Sequence, residues 1–171
     1  MALQDKLEKI YREHAPALFR FLIRLTGNET ETKDVLQEIF VRLARSPGLL
    51  DNVSAPQSYL FRLAHRLVID RHRRNQTREH YDDCAQQEKD PFAAPEPLAL
   101  DEQWLRKVLA DSLETLPHEQ KAVVILKVWE NLTFAQIADV LDIPANTAAS
   151  RYRYALDKLR TELRPLQRDL P

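Results

Sequence analysis

Glycine is almost missing from this chain of 171 residues, in which only Gly27 and Gly48 occur. That scarcity excludes the glycine-rich loops that cradle phosphates in nucleotide-binding enzymes. Cysteine is rarer still: Cys84 stands alone, so no internal disulfide can form, and nothing around it has metal-ligand spacing. No apolar run approaches the roughly 20 residues that a membrane-spanning helix needs. The N-terminal stretch carries Asp5 and Glu8 and has no hydrophobic signal-peptide core. A cytoplasmic protein without membrane insertion is expected. A surplus of positive charge is also absent, since 25 Lys and Arg face 26 Asp and Glu for a formal net charge of -1. A free-standing DNA binder usually draws affinity from such a surplus.

What is abundant is helix-forming. Hydrophobic residues make up 44% of the chain, enough for real cores. Leu, Ala, Glu, Arg and Gln are plentiful between the prolines, which predicts an all-α protein. The segment Asp90-Pro91-Phe92-Ala93-Ala94-Pro95-Glu96-Pro97 has no helical period and reads as a linker. Two small helical domains at 1–78 and 100–171, joined by a flexible acidic linker at 79–99, are therefore expected.

In the first domain Leu3, Leu7, Ile10 and Tyr11 lead through a break before Pro16 into Leu18, Phe21, Leu22 and Leu25, ending at a capping Gly27. A second helix is predicted from about Glu31 to Arg45. Its apolar stripe is Val35, Leu36, Ile39, Phe40 and Leu43, and its other face carries Asp34, Gln37, Glu38 and Arg42. Turn formers Pro47, Gly48, Asp51 and Asn52 follow. A third helix starts near Pro56, with Leu60, Leu63, Ala64, Leu67 and Val68 on its core side. Arg62, His65, Arg66, Ile69 and Arg73 fall on the opposite side as a basic stripe. Tyr59 and Phe61 beside it suit either the core or stacking on unpaired bases.

The charge sign then flips. Arg62, Arg66, Arg71, Arg73, Arg74 and Arg78 oppose only Asp70, whereas Glu79 to Glu102 holds eight acids against Lys89. Beyond Arg151 the basic residues lead again. An acidic connector between two basic surfaces either weakens the DNA affinity of the free protein or is a flexible linker with no such role.

In the second domain Trp104, Leu105, Val108, Leu109 and Leu113 predict one helix, and Pro117 opens another through Val123 to Val128. Thr133, with Gln136 three residues on, is a helix-start pair whose side chains can satisfy each other's backbone N–H groups. Phe134, Ile137, Ala138 and Leu141 form that helix's apolar face. After Asp142-Ile143 comes Pro144, tolerated at a first helical position. Ala148, Tyr152, Ala155 and Leu159 stripe the next helix, leaving Asn146, Thr147, Ser150, Arg153 and Tyr154 outward and Arg151 on the flank. Two short helices meeting at a tight turn, the second polar and basic outward, is how a chain presents a helix to a DNA groove.

Enzymatic chemistry has little to stand on. His65, Asp70 and His72 are the only tempting acid-base or metal cluster, and on one helix they do not converge. No catalytic residue, metal site or cofactor is expected.

Taken together, the motifs resemble a bacterial extracytoplasmic-function (ECF) sigma factor, a group of the sigma-70 family that keeps only its second and fourth regions. Residues 33–43 (Lys33 to Leu43) resemble region 2.2, residues 59–70 (Tyr59 to Asp70) resemble regions 2.3 to 2.4, and Leu116 to Val123 with the helix-turn-helix resembles region 4. The resemblance implies a non-enzymatic factor that binds core RNA polymerase, directs it to promoter DNA and aids melting, commonly under an anti-sigma factor. It implies core-polymerase contacts at Asp34, Leu36, Gln37, Glu38 and Phe40. It implies minus-ten contacts at Asp51, Asn52, Tyr59, Arg62, His65, Arg66 and Arg73, and minus-thirty-five contacts at Asn146, Thr147, Ser150, Arg151 and Arg153. Tyr59 stands where the family usually has Trp, His65-Arg66 where an Arg-Asn pair is common, Asn146 for a common Gly, and Ala149 for a frequent Lys or Arg. Asn146 then offers an adenine contact. The rival reading is a polymerase-independent helix-turn-helix regulator.

Overall fold

A computed structural model describes residues 2–79 and 100–165, with the backbone alone described at 78–79 and 100–106. Its elements are α1 (Leu3–Thr26), α2 (Glu29–Arg45), α3 (Pro56–Glu79), α4 (Leu100–Glu114), α5 (His118–Val128), α6 (Phe134–Leu141) and α7 (Ala145–Leu163), with no strand among the described residues. The all-α expectation holds. Two compact units result, one carrying α1–α3 and the other α4, α5, α7 and most of α6. The linker expected at 79–99, with Cys84 inside it, lies outside the described residues except for Glu79, which ends α3.

The first unit closes around Leu18, Phe21, Leu22 and Leu25 of α1, Val35, Ile39 and Leu43 of α2, and Leu60, Phe61, Ala64, Leu67 and Val68 of α3, all buried. Each large side chain buried there stabilises by about 1.5–3 kcal/mol relative to exposure. This magnitude explains one departure from the sequence reading. The break expected before Pro16 does not occur, and α1 runs unbroken from Leu3 to Thr26 with Pro16 inside it. A proline in a helix interior costs about 3 kcal/mol through its missing N–H. Burial of Leu18, Phe21 and Leu22 just beyond it outweighs that cost.

The ends of α1 and α2 are set locally. Gly27 takes the left-handed region (φ 65°), where its N–H reaches the Ile23 carbonyl at 2.9 Å; a side chain there would be strained. Asn28 then caps α2, its Oδ1 accepting from the Glu31 N–H at 2.9 Å, so α2 begins at Glu29 rather than near Glu31. The α2–α3 connection is a chain of turns, with Leu49 N–H on the Ser46 carbonyl at 3.0 Å and Asp51 N–H on that of Gly48 at 3.1 Å. Pro56 opens α3, where its missing N–H costs nothing.

The second unit is built the same way from α5 outward. Residues 121–126 of α5 are buried throughout, Lys121 among them, with its ammonium 2.7 Å from Glu114 of α4. Ala148 and Ala155 of α7 are fully buried. Ala155 packs with Leu113, Leu116 and Val124, flanked by Tyr152 and Leu159. Lys158 donates to the Thr115 carbonyl at 2.7 Å, tying the end of α4 to α7.

Candidate nucleic-acid and polymerase interface

Short-range bonds close both ends of the first helix of the helix-turn-helix pair. At the start of α6 the Gln136 N–H donates to Thr133 Oγ1 at 3.2 Å, and the Thr133 N–H donates to Gln136 Oε1 at 2.9 Å. Both halves of the reciprocal cap read from the sequence are present. Lys127 of α5 donates to the Leu132 carbonyl at 3.2 Å and lies 4.6 Å from the centre of the Phe134 ring. Phe134 in turn meets Tyr152 of α7 at 5.6 Å between ring centres. Thr133→Ala should cost about 1 kcal/mol. Chemical unfolding of the second unit checks this, and Thr133→Ser should restore most of the loss.

The turn is tight because Asp142 takes the left-handed region (φ 55°), one of the few residue types that tolerates it. The Ile143 N–H then closes back on the Ala138 carbonyl at 3.1 Å. Pro144 sits one residue earlier than expected, as the residue before the helix (ψ 146°), and its carbonyl accepts from Thr147 and Ala148 at 3.0 and 3.1 Å. A proline at that position has no N–H to leave unpaired, so α7 starts cleanly at Ala145.

On α7 the structure leaves Asn146, Arg153 and Tyr154 exposed and Thr147 and Ser150 half-buried. The Arg153 guanidinium rests 5.6 Å from the centre of the Tyr154 ring. Arg151 is half-buried and paired with Glu119 of α5 at 3.3 Å. Asn146, Ser150 and Tyr154 follow one another at four-residue spacing, so Tyr154 extends the polar row by one more turn.

In the first unit, the residues read as the polymerase face lie together on α2. Asp34 and Gln37 are exposed, while Leu36, Glu38 and Phe40 are half-buried. Phe40 meets Tyr11 of α1 at 4.8 Å between ring centres, and Tyr11 is itself half exposed. Glu38 is held by Arg42 at 2.7 Å and by Arg71 of α3 at 3.4 Å, and Arg71 also reaches Asp34 at 3.8 Å. Partial burial pushes the Glu38 carboxyl up, but the hydrogen bonds and charges of Arg42 and Arg71 outweigh this and hold it below its ordinary 4.5. Its ion pairs therefore contribute in full above the ordinary carboxylate range, and the contribution is lost as the pH falls through the lowered folded value. Solvent screening keeps that contribution small.

The residues read as the minus-ten face are less uniform than the sequence suggested. Asp51 and Asn52 are exposed in the α2–α3 connection, and Asp51 is ion-paired with Lys6 of α1. On α3, Tyr59 and Arg62 are half-buried and Arg66 and Arg73 are exposed. His65 is a correction: at 8% exposure it is buried rather than part of an outward stripe. It follows Phe61 by four residues and precedes Val68 by three, both fully buried, so it turns inward with them. Phe61, for which two roles were open, is core and meets Phe21 edge-to-face at 5.2 Å. Arg71 faces α2, a contact between helices that no single-helix period marks.

The described residues thus form two helical units, one with an acidic-polar helix beside a basic one and the other with a closed helix-turn-helix. The Sigma-70 region 2 model matches residues 10–78 and the Sigma-70 region 4 model matches residues 106–159. The chain belongs to the ECF RNA polymerase sigma factors. It is 32% identical over 163 residues to the ECF RNA polymerase sigma factor SigL of Mycobacterium tuberculosis, an alignment covering 94% of this chain and 90% of that one. SigX of Bacillus subtilis is 23% identical over 173 residues, covering 98% and 89%. The fold is also that of the sigma factor RpoE in its complex with the anti-sigma factor NepR from Bartonella quintana, with a TM-score of 0.79, 18% identity, and 92% and 96% of the two chains covered. The protein acts with RNA polymerase in promoter-specific initiation of transcription.

Proposed function

We propose that the two domains divide promoter recognition between them, residues 1–78 engaging core polymerase and the minus-ten element and residues 100–171 the minus-thirty-five element. The observation that carries this reading is the exposed face of α7, with Asn146 and Arg153 held out from a helix-turn-helix closed by its own backbone. Such a face suits base edges and phosphates in a major groove. Asn146, Thr147 and Ser150 supply neutral donors and acceptors, and Arg151 and Arg153 supply charge.

On α2, Asp34, Gln37 and Glu38 beside Leu36 and Phe40 offer a basic partner an acidic rim around an apolar centre. On α3 and the connection before it, Arg62, Arg66 and Arg73 track the backbone of an opened strand, while Asp51, Asn52 and Tyr59 meet its unstacked bases. His65 contributes from within, by fixing the packing under that ridge. The protein does no covalent chemistry of its own; it is a non-enzymatic cytoplasmic factor. An anti-sigma factor is its expected inhibitor, as NepR is the anti-sigma factor in the RpoE complex.

Run-off transcription with purified core polymerase tests the whole reading. With the protein added, transcripts should start at defined sites preceded by two spaced elements. Starts that do not depend on the protein would reject it. Tight binding to duplex promoters without polymerase would instead favour a polymerase-independent regulator.

A further inference from the structure

The acidic face of α2 has an internal difficulty that the structure resolves. Asp34 and Glu38 are four residues apart on one helix, where like charges lie one above the other and repel. Arg42 answers only Glu38, at 2.7 Å. The side chain that meets both is Arg71, which comes from α3, with one guanidinium nitrogen 3.8 Å from Asp34 and the other 3.4 Å from Glu38. A planar fork with several donors suits this bridging task better than a single ammonium would. Arg71 is half-buried, whereas Arg73 and Arg74 beyond it are exposed. One member of the arginine run has thus been turned away from solvent and toward the acids.

We propose that Arg71 is a positioning residue for core-polymerase binding: it holds Asp34 and Glu38 in one charged arrangement on α2 and so pre-forms the face that the polymerase meets. The proposal rests on the reading of that face as the polymerase contact. Its physical content is preorganisation. Two carboxylates already held by one guanidinium lose less rotamer freedom, and repel each other less, when a basic partner arrives. Because Arg71 belongs to α3, the polymerase face and the DNA-facing helix are also tied by one side chain.

Titration of labelled full-length protein with core polymerase, for the wild type, Arg71→Gln, Arg71→Lys, Asp34→Asn/Glu38→Gln and the triple variant, tests this. Arg71→Gln keeps much of the stem and removes the charge. Its affinity should fall roughly threefold or more at low salt, with the deficit shrinking as salt rises. Arg71→Lys should recover part of the loss. In the Asp34→Asn/Glu38→Gln background, Arg71→Gln should have no further effect, and Arg71→Gln should leave the unfolding midpoint of the first unit nearly unchanged, which a merely structural role would not. Unchanged or tighter binding by Arg71→Gln overturns the proposal, as does a deficit that persists in the triple variant. If Asp34→Asn/Glu38→Gln itself binds like wild type, the polymerase-face reading fails and the proposal falls with it; failure of Arg71→Gln alone leaves that reading standing. A loss of single-stranded minus-ten DNA affinity larger than the loss of polymerase affinity would make Arg71 a phosphate contact instead, and would equally overturn it.

Discussion

Phe61→Ala is expected to cost about 3–5 kcal/mol, the range for emptying a fully enclosed aromatic site. Phe61 has no exposed surface and meets Phe21 of α1 edge-to-face at 5.2 Å, so truncation removes both burial and a ring contact. Whole domains are stable by only about 5–15 kcal/mol, and a unit of three helices lies toward the lower end. Guanidinium unfolding of the full chain should therefore show the α1–α3 unit melting far earlier, with the α4–α7 unit little changed. Promoter-specific transcription should disappear with it. Tyr59→Ala, two residues away at a half-buried position, is the control and should cost much less stability. A full-length chain that unfolds at the wild-type midpoint despite Phe61→Ala would show that this side chain is not the keystone of the first unit.

The second large effect belongs to function rather than folding. Asn146→Ala and Arg153→Ala should each lower transcription from a promoter bearing both elements by about 5- to 150-fold, the range of one good base-reading contact of about 1–3 kcal/mol. Arg151→Ala should do less to DNA reading, because its guanidinium is already engaged by Glu119 at 3.3 Å. Neither Asn146→Ala nor Arg153→Ala should move the unfolding midpoint by much, since both side chains are exposed. The decisive comparison uses templates with systematically altered minus-thirty-five sequences. A base-reading residue loses its effect when its own base pair is changed, whereas a phosphate contact weakens every template alike and reduces the salt dependence. Equal activity of wild type and both variants on all templates would remove α7 from promoter recognition.

What could be read from the amino acids alone follows the range of the forces involved. The capped start of α6 and the glycine that ends α1 depend on bonds among near neighbours, and the stripe of α7 shows as a helical period within its own residues; each stands where the residues suggested. Pro16 misled because local backbone chemistry argues for a break, while the burial that overrides it comes from α2 and α3. His65 misled for a related reason. It sits at the border between two faces of one helix, and only the packing of its neighbours Phe61 and Val68 decides which way it turns. Arg71 was legible as a member of an arginine run but not as a bridge, because an ion pair between helices separated by a turn-rich connection leaves no periodic trace. Asn28 was there to be found: an Asn directly before Glu29 and Glu31 is a start signal for α2.

The α6–α7 connection has a thermodynamic consequence. A left-handed Asp142, the Ile143 N–H closed onto Ala138, and Pro144 with its fixed ring leave this corner few alternative conformations. The entropy of ordering it is spent when the chain folds, not when DNA arrives. Calorimetry of the polymerase-bound factor should accordingly show α7 associating as a preformed body, with a heat-capacity change proportional to the apolar area it buries and without the much larger drop that accompanies folding coupled to binding.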